Sequence, residues 1–228
     1  MNIALICEGV SEVNILKHII ERFFGDIDVS VNAFQPTLGN NDKQGCFGGW
    51  YEVLSHCNDN NVENALATND FLIIQIDTDT SHLPNYEAIT EEEKRNYIGD
   101  DNLYDRVVNR LLKKISPQLF NKVKDKVIFA ICIEEIECWL LPLCYENDPR
   151  KKCATNNCVF KLNEAIPKEV GQIPNTQKNS DSARKAYKFV LKKMKHNNVS
   201  RIAQYNYGFK KFIEQLDAIK ASLSNQQG

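Results

Sequence analysis

The sequence predicts an α/β protein: a mostly parallel central sheet of about four strands flanked by helices, with a helical C-terminal part. Two observations carry this. Asn2–Cys7, Phe71–Ile76 and Val127–Ile133 are short apolar runs, broken only by Gln75 in the second, and bounded by polar residues. Such runs mark strands buried on both faces, as the strands of parallel sheets are. Between and after them apolar residues recur at helical spacing, which gives the alternation that builds βαβ units.

Taken in order, Asn2–Cys7 is the first buried strand, and Glu8-Gly9-Val10-Ser11-Glu12 ends it. Val13, Ile15, Leu16, Ile19, Ile20 and Phe23 then define a helix, with Ser11 as the expected N-cap. Ile27–Phe34 alternates at period two and reads as a strand nearer an edge. Gln35–Gly49 holds four glycines and a proline and reads as a loop near the same end of the sheet. Trp50–Leu66 reads as a helix leading to the central strand, Phe71–Asp77. Thr90-Glu91-Glu92-Glu93 is a capping-box pattern that starts another, and Asn102–Ile115 places Leu103, Val107, Leu111 and Leu112 on one helical face. After Val127–Ile133 the chain passes Glu134–Glu137 into a helix that Pro142 interrupts or ends. Glu146–Asn157 is polar and irregular, so the expected division is an α/β domain over 1–145 and a helical extension over 146–228 packed on it. Helices are expected there at Val159–Ile166, Ser180–Lys195 and Asn206–Leu223.

A chain of 228 residues with 43% apolar and 25% charged residues buries a full core and is ordinary for a soluble globular protein. It has no apolar run long enough to cross a bilayer and no basic leader at its start, so no membrane and a cytoplasmic setting are expected. The eight cysteines are expected to be reduced there, several of them as small core hydrophobes. The net charge of −2 excludes a uniformly basic coat, but the charge is uneven. Carboxylates concentrate before Glu146, and Arg150–Lys211 is rich in Lys and Arg, as an acidic metal centre beside a phosphate-binding flank would require.

Three of the strand-like runs end in acid: Glu8, Asp77 with Asp79, and Glu134–Glu137. In a parallel sheet those ends share one edge, where ligands bind. Clustered carboxylates repel unless a cation lies among them, and an all-oxygen set suits Mg²⁺ or Mn²⁺. The four histidines form no motif, although His82 follows Asp79 closely.

A strand ending in Glu8-Gly9-Val10-Ser11-Glu12, a later strand ending in Asp77-Thr78-Asp79, and a third acidic cluster at Glu134-Glu135-Ile136-Glu137-Cys138-Trp139-Leu140-Leu141 resemble the topoisomerase–primase (TOPRIM) fold. The resemblance extends to small TOPRIM-like proteins grouped with OLD-family and phage-defence nucleases, and covers about residues 2–145. The segment Asn206–Leu216 is similar to the tail of such proteins. The resemblance implies a Mg²⁺-dependent nuclease, with Glu8 in acid–base chemistry or on a second metal, and Asp77 and Asp79 on Mg²⁺. Its third acid would be Glu137 or, second, Glu134. It also implies DNA or RNA as partner, gripped by Lys178, Arg184, Lys185 and Lys188 and by the further lysines up to Lys195. The chain has no nucleotide-binding P-loop, so an NTP-driven step would need an ATPase partner protein. The alternatives are a non-catalytic partner or sensor subunit of a defence ATPase, and a haloacid-dehalogenase-like phosphatase with Asp77 as nucleophile. That nucleophile normally ends the first strand, whereas a complete strand–helix–strand unit precedes Asp77.

Overall fold

Four strands, β1 (Asn2–Ile6), β2 (Ser30–Gln35), β3 (Phe71–Asp77) and β4 (Val127–Cys132), form one sheet in the order β2–β1–β3–β4, with every neighbouring pair parallel. The computed structural model of the chain describes residues 1–36 and 48–225, so most of the loop expected over 35–49 lies outside the described residues.

The strands read as continuous apolar runs because the sheet is covered on both sides. Ile3 and Leu5, Ile73, and Ile128 and Ala130 face one layer, while Ala4 and Ile6, Leu72, Ile74 and Ile76, and Val127, Phe129 and Ile131 face the other. The first layer contains α1 (Val10–Phe24). The second contains α2 (Trp50–His56), α3 (Asp59–Thr68), α5 (Asp100–Leu112) and α6 (Pro117–Val123), with the short α4 (Glu91–Asn96) before α5. β2 is an edge strand and only partly buried, in keeping with its polar alternation.

The C-terminal third joins the first layer rather than standing apart. It comprises α7 (Pro149–Lys152), α8 (Cys158–Ala165), α9 (Asp181–Leu191), α10 (Val199–Ala203) and α11 (Tyr207–Asn225). Leu162, Tyr187, Val190, Phe209 and Phe212 share one core with β1, β4 and α1. α11 lies directly on β4: a β-carbon at Gly208 would stand 1.9 Å from the Ile131 carbonyl oxygen, so only glycine permits that approach. Trp139 stacks on Phe209 and Phe212, with ring centroids 4.6 and 5.6 Å away. Gln215 turns its amide to the outer edge of β4. It accepts a bond from the Phe129 N–H and donates one to the Phe129 carbonyl, each 2.9 Å long.

Several local expectations change. α1 is capped by Gly9, not Ser11, and the Ser11 hydroxyl donates instead to the Glu12 carboxylate at 3.0 Å. The helix expected over Trp50–Leu66 is two helices, because the Asn58 side chain accepts the Asn61 N–H at 3.1 Å and caps a new start. Ile136–Leu143 is a 3₁₀ helix containing Pro142, whose missing N–H removes an α-helical bond. The capping box at Thr90 and Glu93 forms as written. The cysteines are not all thiols: Cys138 and Cys158, twenty residues apart in sequence and 5.0 Å apart at Cα, form a disulfide that ties the 3₁₀ helix to α8. Among the described residues no helix is long and apolar enough to cross a membrane.

Candidate functional site

The connection leaving the carboxyl end of β1 passes over one face of the sheet, through α1, and that leaving β3 over the other, through α5 and α6. The carboxyl ends of β1 and β3 therefore diverge, and such a switch point opens a crevice in any doubly wound sheet. Glu8 and Asp77 stand at its two lips.

Side chains hold the lips together. The Glu8 carboxylate accepts the Asp77 N–H at 2.7 Å. Gln75, fully buried in the apolar run of β3, accepts the Glu8 N–H at 3.1 Å and donates to Asp77 Oδ1 at 2.8 Å. The Tyr86 hydroxyl donates to the Asp77 carbonyl at 2.9 Å. Beyond β3, the Thr78 N–H and the Asp79 N–H both donate to the Glu134 carbonyl, at 2.9 and 3.1 Å, which fixes the loop that carries Asp79.

The crevice is a cleft of about 350 Å³ whose acidic wall is Glu8, Glu12, Asp77 and Asp79. Two glycines bring that wall close. A β-carbon at Gly9 would stand 2.5 Å from Glu12 Oε2, and one at Gly48 would stand 2.4 Å from the Glu8 carbonyl. Opposite lie Asn175, Thr176, Lys178 and Asn179 from the loop that leads into α9.

The late acids do not line this cleft. Glu134 takes a left-handed φ of 63°, and its carboxylate pairs with Lys94 at 2.5 Å in a separate recess. Glu137 is fully buried behind Lys178, whose ammonium lies 2.9 Å from Glu137 Oε2 and 3.1 Å from Glu135 Oε2. The other Glu137 oxygen accepts the Tyr187 hydroxyl at 2.5 Å. Among the sequence-derived basic candidates, Lys178 faces the cleft, Arg184 and Lys188 line an adjoining groove, and Lys185 is exposed outside both.

Burial pushes the Glu8 carboxyl up to about 8 against the opposing bond from the Asp77 N–H, with Glu12 and Asp79 adding to the rise. Burial, then Glu8 and Glu12, raise Asp77 well above the usual carboxylate range. Burial also raises Glu137, although Lys178 opposes it. For Lys178 burial works against the charge, but Glu137, Asp77 and Glu135 outweigh it and hold the ammonium above its ordinary value. Among the described residues, four carboxylates thus face one ammonium that already serves two others.

Among the described residues no three His, Cys, Asp or Glu side chains already form a metal-binding group. Mg²⁺ does not require one, since it takes one or two protein carboxylates and keeps water or phosphate at its other positions. Glu8, Asp77 and Asp79 offer an oxygen-only donor set with excess negative charge, and that chemistry fits such an ion.

Sequence reasoning missed Gln75, Glu12 and, apart from Lys178, the 175–179 loop. Gln75 had a signal, as the one polar residue inside an otherwise apolar buried strand. Glu12 follows Glu8 by four residues, at the start of the helix that leaves β1. The loop has none, being polar and unpatterned. Comparison with protein-family models, with curated proteins and with solved structures returns no match.

Proposed function

We propose that the chain is a Mg²⁺- or Mn²⁺-dependent nuclease of TOPRIM-like type, hydrolysing a phosphodiester of DNA or RNA in the cytoplasm, with an ATPase partner for any NTP-driven step. One observation carries the reading: Glu8 and Asp77 are buried together at the β1–β3 switch point, with Glu12 and Asp79 beside them, and the ammonium among the described residues of the cleft, Lys178, is bonded to Glu135 and Glu137. A bound divalent ion would supply Lewis-acid activation of water and offset charge on the attacking and leaving oxygens. Asp77 and Asp79 are the residues proposed to hold it, with Glu8 at the margin.

The Glu8 carboxyl, pushed up to about 8, can return a proton to a leaving oxygen or, once ionised, take one from water. Asn175, Thr176 and Asn179 offer neutral polar groups to a phosphate, and Lys178 offers its ammonium, aimed by Glu135 and Glu137. Glu137 therefore positions Lys178, and the short bond from Tyr187 fixes Glu137.

The test is cleavage of single- and double-stranded DNA and RNA by the full chain with Mg²⁺, Mn²⁺ or EDTA. Wild type should cut only with metal, and Glu8→Gln and Asp77→Asn should each lose the activity. Cutting that survives both substitutions, or an absence of metal-dependent cutting on every substrate, overturns the reading. In the second case hydrolysis of a phosphomonoester that depends on Asp77 would support the phosphatase alternative.

A further inference from the structure

Beside the acidic cleft lies a groove of about 410 Å³ between α1 and α9. The two share Val10, Ser11, Lys178 and Asn179 as a common wall, yet their charges are opposite. Arg22, Lys178, Arg184, Lys188 and Lys192 line the groove, and no carboxylate does. Arg184 is held by Asp181, but Arg22, Lys188 and Lys192 form no ion pair among the described residues. The groove also has an apolar component in Val10, Leu191 and the Tyr187 ring, whose hydroxyl is already bonded to Glu137.

The geometry points to this groove as the seat of a single-stranded nucleic acid, immediately next to the bond cut in the acidic cleft. One nucleotide sits in the groove over Val10, above the buried Tyr187 and Leu191, and the flanking phosphates meet Arg184, Lys188, Lys192 and Arg22. Cations tracking the backbone along a groove are part of how single strands are bound without sequence readout. A duplex keeps its bases paired and cannot place one nucleotide in the groove alone. A space of about 410 Å³ matches a site for one small ligand moiety rather than two strands. Lys178, at the shared wall, marks where the strand passes from the basic groove to the carboxylates. The inference rests on the phosphodiester reading and narrows it: the substrate needs unpaired nucleotides on one side of the scissile bond.

The experiment measures binding and cleavage separately. Fluorescence anisotropy of labelled single-stranded and duplex oligonucleotides is followed in EDTA across a salt series, with the full-length chain. The pair Lys188→Ala and Lys192→Ala, at exposed positions, is compared with Lys122→Ala and Lys124→Ala on and just after α6, behind the opposite face of the sheet. The groove pair should weaken single-strand binding at least about tenfold and reduce the slope of log affinity against log salt by about 1.4, at roughly 0.7 per lost phosphate contact. The control pair should leave both unchanged. Equal affinity and slope in the groove pair, or tighter binding of duplex than of single strand, overturns the inference. Metal-dependent cleavage with unaltered binding in the groove pair would reject the groove and leave the nuclease reading intact. Selective loss of single-strand binding in a chain that cuts nothing would support the groove and reject the nuclease.

Discussion

Replacing Lys178 by methionine removes the ammonium and keeps most of the side chain's packing. Its partner Glu137 is fully buried, and the remaining bond to that carboxylate, from Tyr187, carries no charge. Stripping one member from a buried ion pair costs about 3–5 kcal/mol, because the other charge is left uncompensated. The lysine side chain is 24% exposed, and water screening there pulls the expectation to the lower end, about 3 kcal/mol. For a chain of this length each kcal/mol moves the melting temperature by about 2–4 °C, so Lys178→Met should melt about 6–12 °C lower at neutral pH. The pH dependence has a definite sign. Burial already raises Glu137, and a carboxyl raised in the folded state contributes stability at low pH that is lost as pH rises through its folded value. Removing the opposing ammonium raises it further, so the deficit of the variant should widen with pH and shrink on acidification. Glu137→Gln in the same background should recover part of the loss, since the amide can still accept from Tyr187 without burying a charge. Denaturant unfolding of the four-member mutant cycle from pH 5 to 8 measures all of this. A deficit below about 1 kcal/mol that does not vary with pH would show that Lys178 is not the counter-ion of a buried carboxylate.

Glu8 makes a second titration prediction. Its carboxyl rises from the usual 4.5 to about 8, so its contribution is complete below about pH 4.5 and disappears as pH climbs through about 8. In EDTA the melting temperature should therefore fall across that window, and Glu8→Gln should flatten the fall. Each pKa unit corresponds to about 1.4 kcal/mol, so the flattening should amount to a few kcal/mol. Added Mg²⁺ should raise the wild-type melting temperature more at pH 8 than at pH 6, where protons compete with it; equal shifts would argue against binding at these carboxylates. Gln75→Met keeps the volume but leaves the Glu8 N–H without its acceptor, and should cost about 1–3 kcal/mol by denaturant titration. Gly208→Ala should be among the most destabilising alanine substitutions in α11, because its β-carbon would meet the Ile131 carbonyl at 1.9 Å. Neutral behaviour on thermal melting would show that α11 does not press on β4.

The sheet was legible because its strands are buried on both faces, so β1, β3 and β4 are apolar whichever way each residue points. Strand order was not, since nothing in the Ser30–Gln35 sequence says on which side of β1 it docks. Glu8 and Asp77 could be read because an acid that ends a buried run has one place to go. The third acid could not, for the backbone turns just there. The left-handed Glu134 and the 3₁₀ helix after it swing that carboxylate to Lys94 and bury Glu137 behind Lys178. The split between α2 and α3 was hidden because the helical apolar pattern continues through Cys57, and a single asparagine caps the restart. The role of Lys178 was invisible as well. It lies in an irregular loop and reaches its partners across more than forty residues, a separation that no local pattern encodes.

β4 ends the sheet, and the backbone groups along an open edge invite another molecule's strand. Gln215 answers for one rung of that edge by offering Phe129 both a donor and an acceptor, as a neighbouring peptide group would. A helix side chain thus serves as an end-stop against chain-to-chain accretion. The stop holds only while α11 keeps its register, which Gly208 sets seven residues earlier. The closure of that rung is thereby tied to α11, and displacing the helix would leave both Phe129 backbone groups open to another strand.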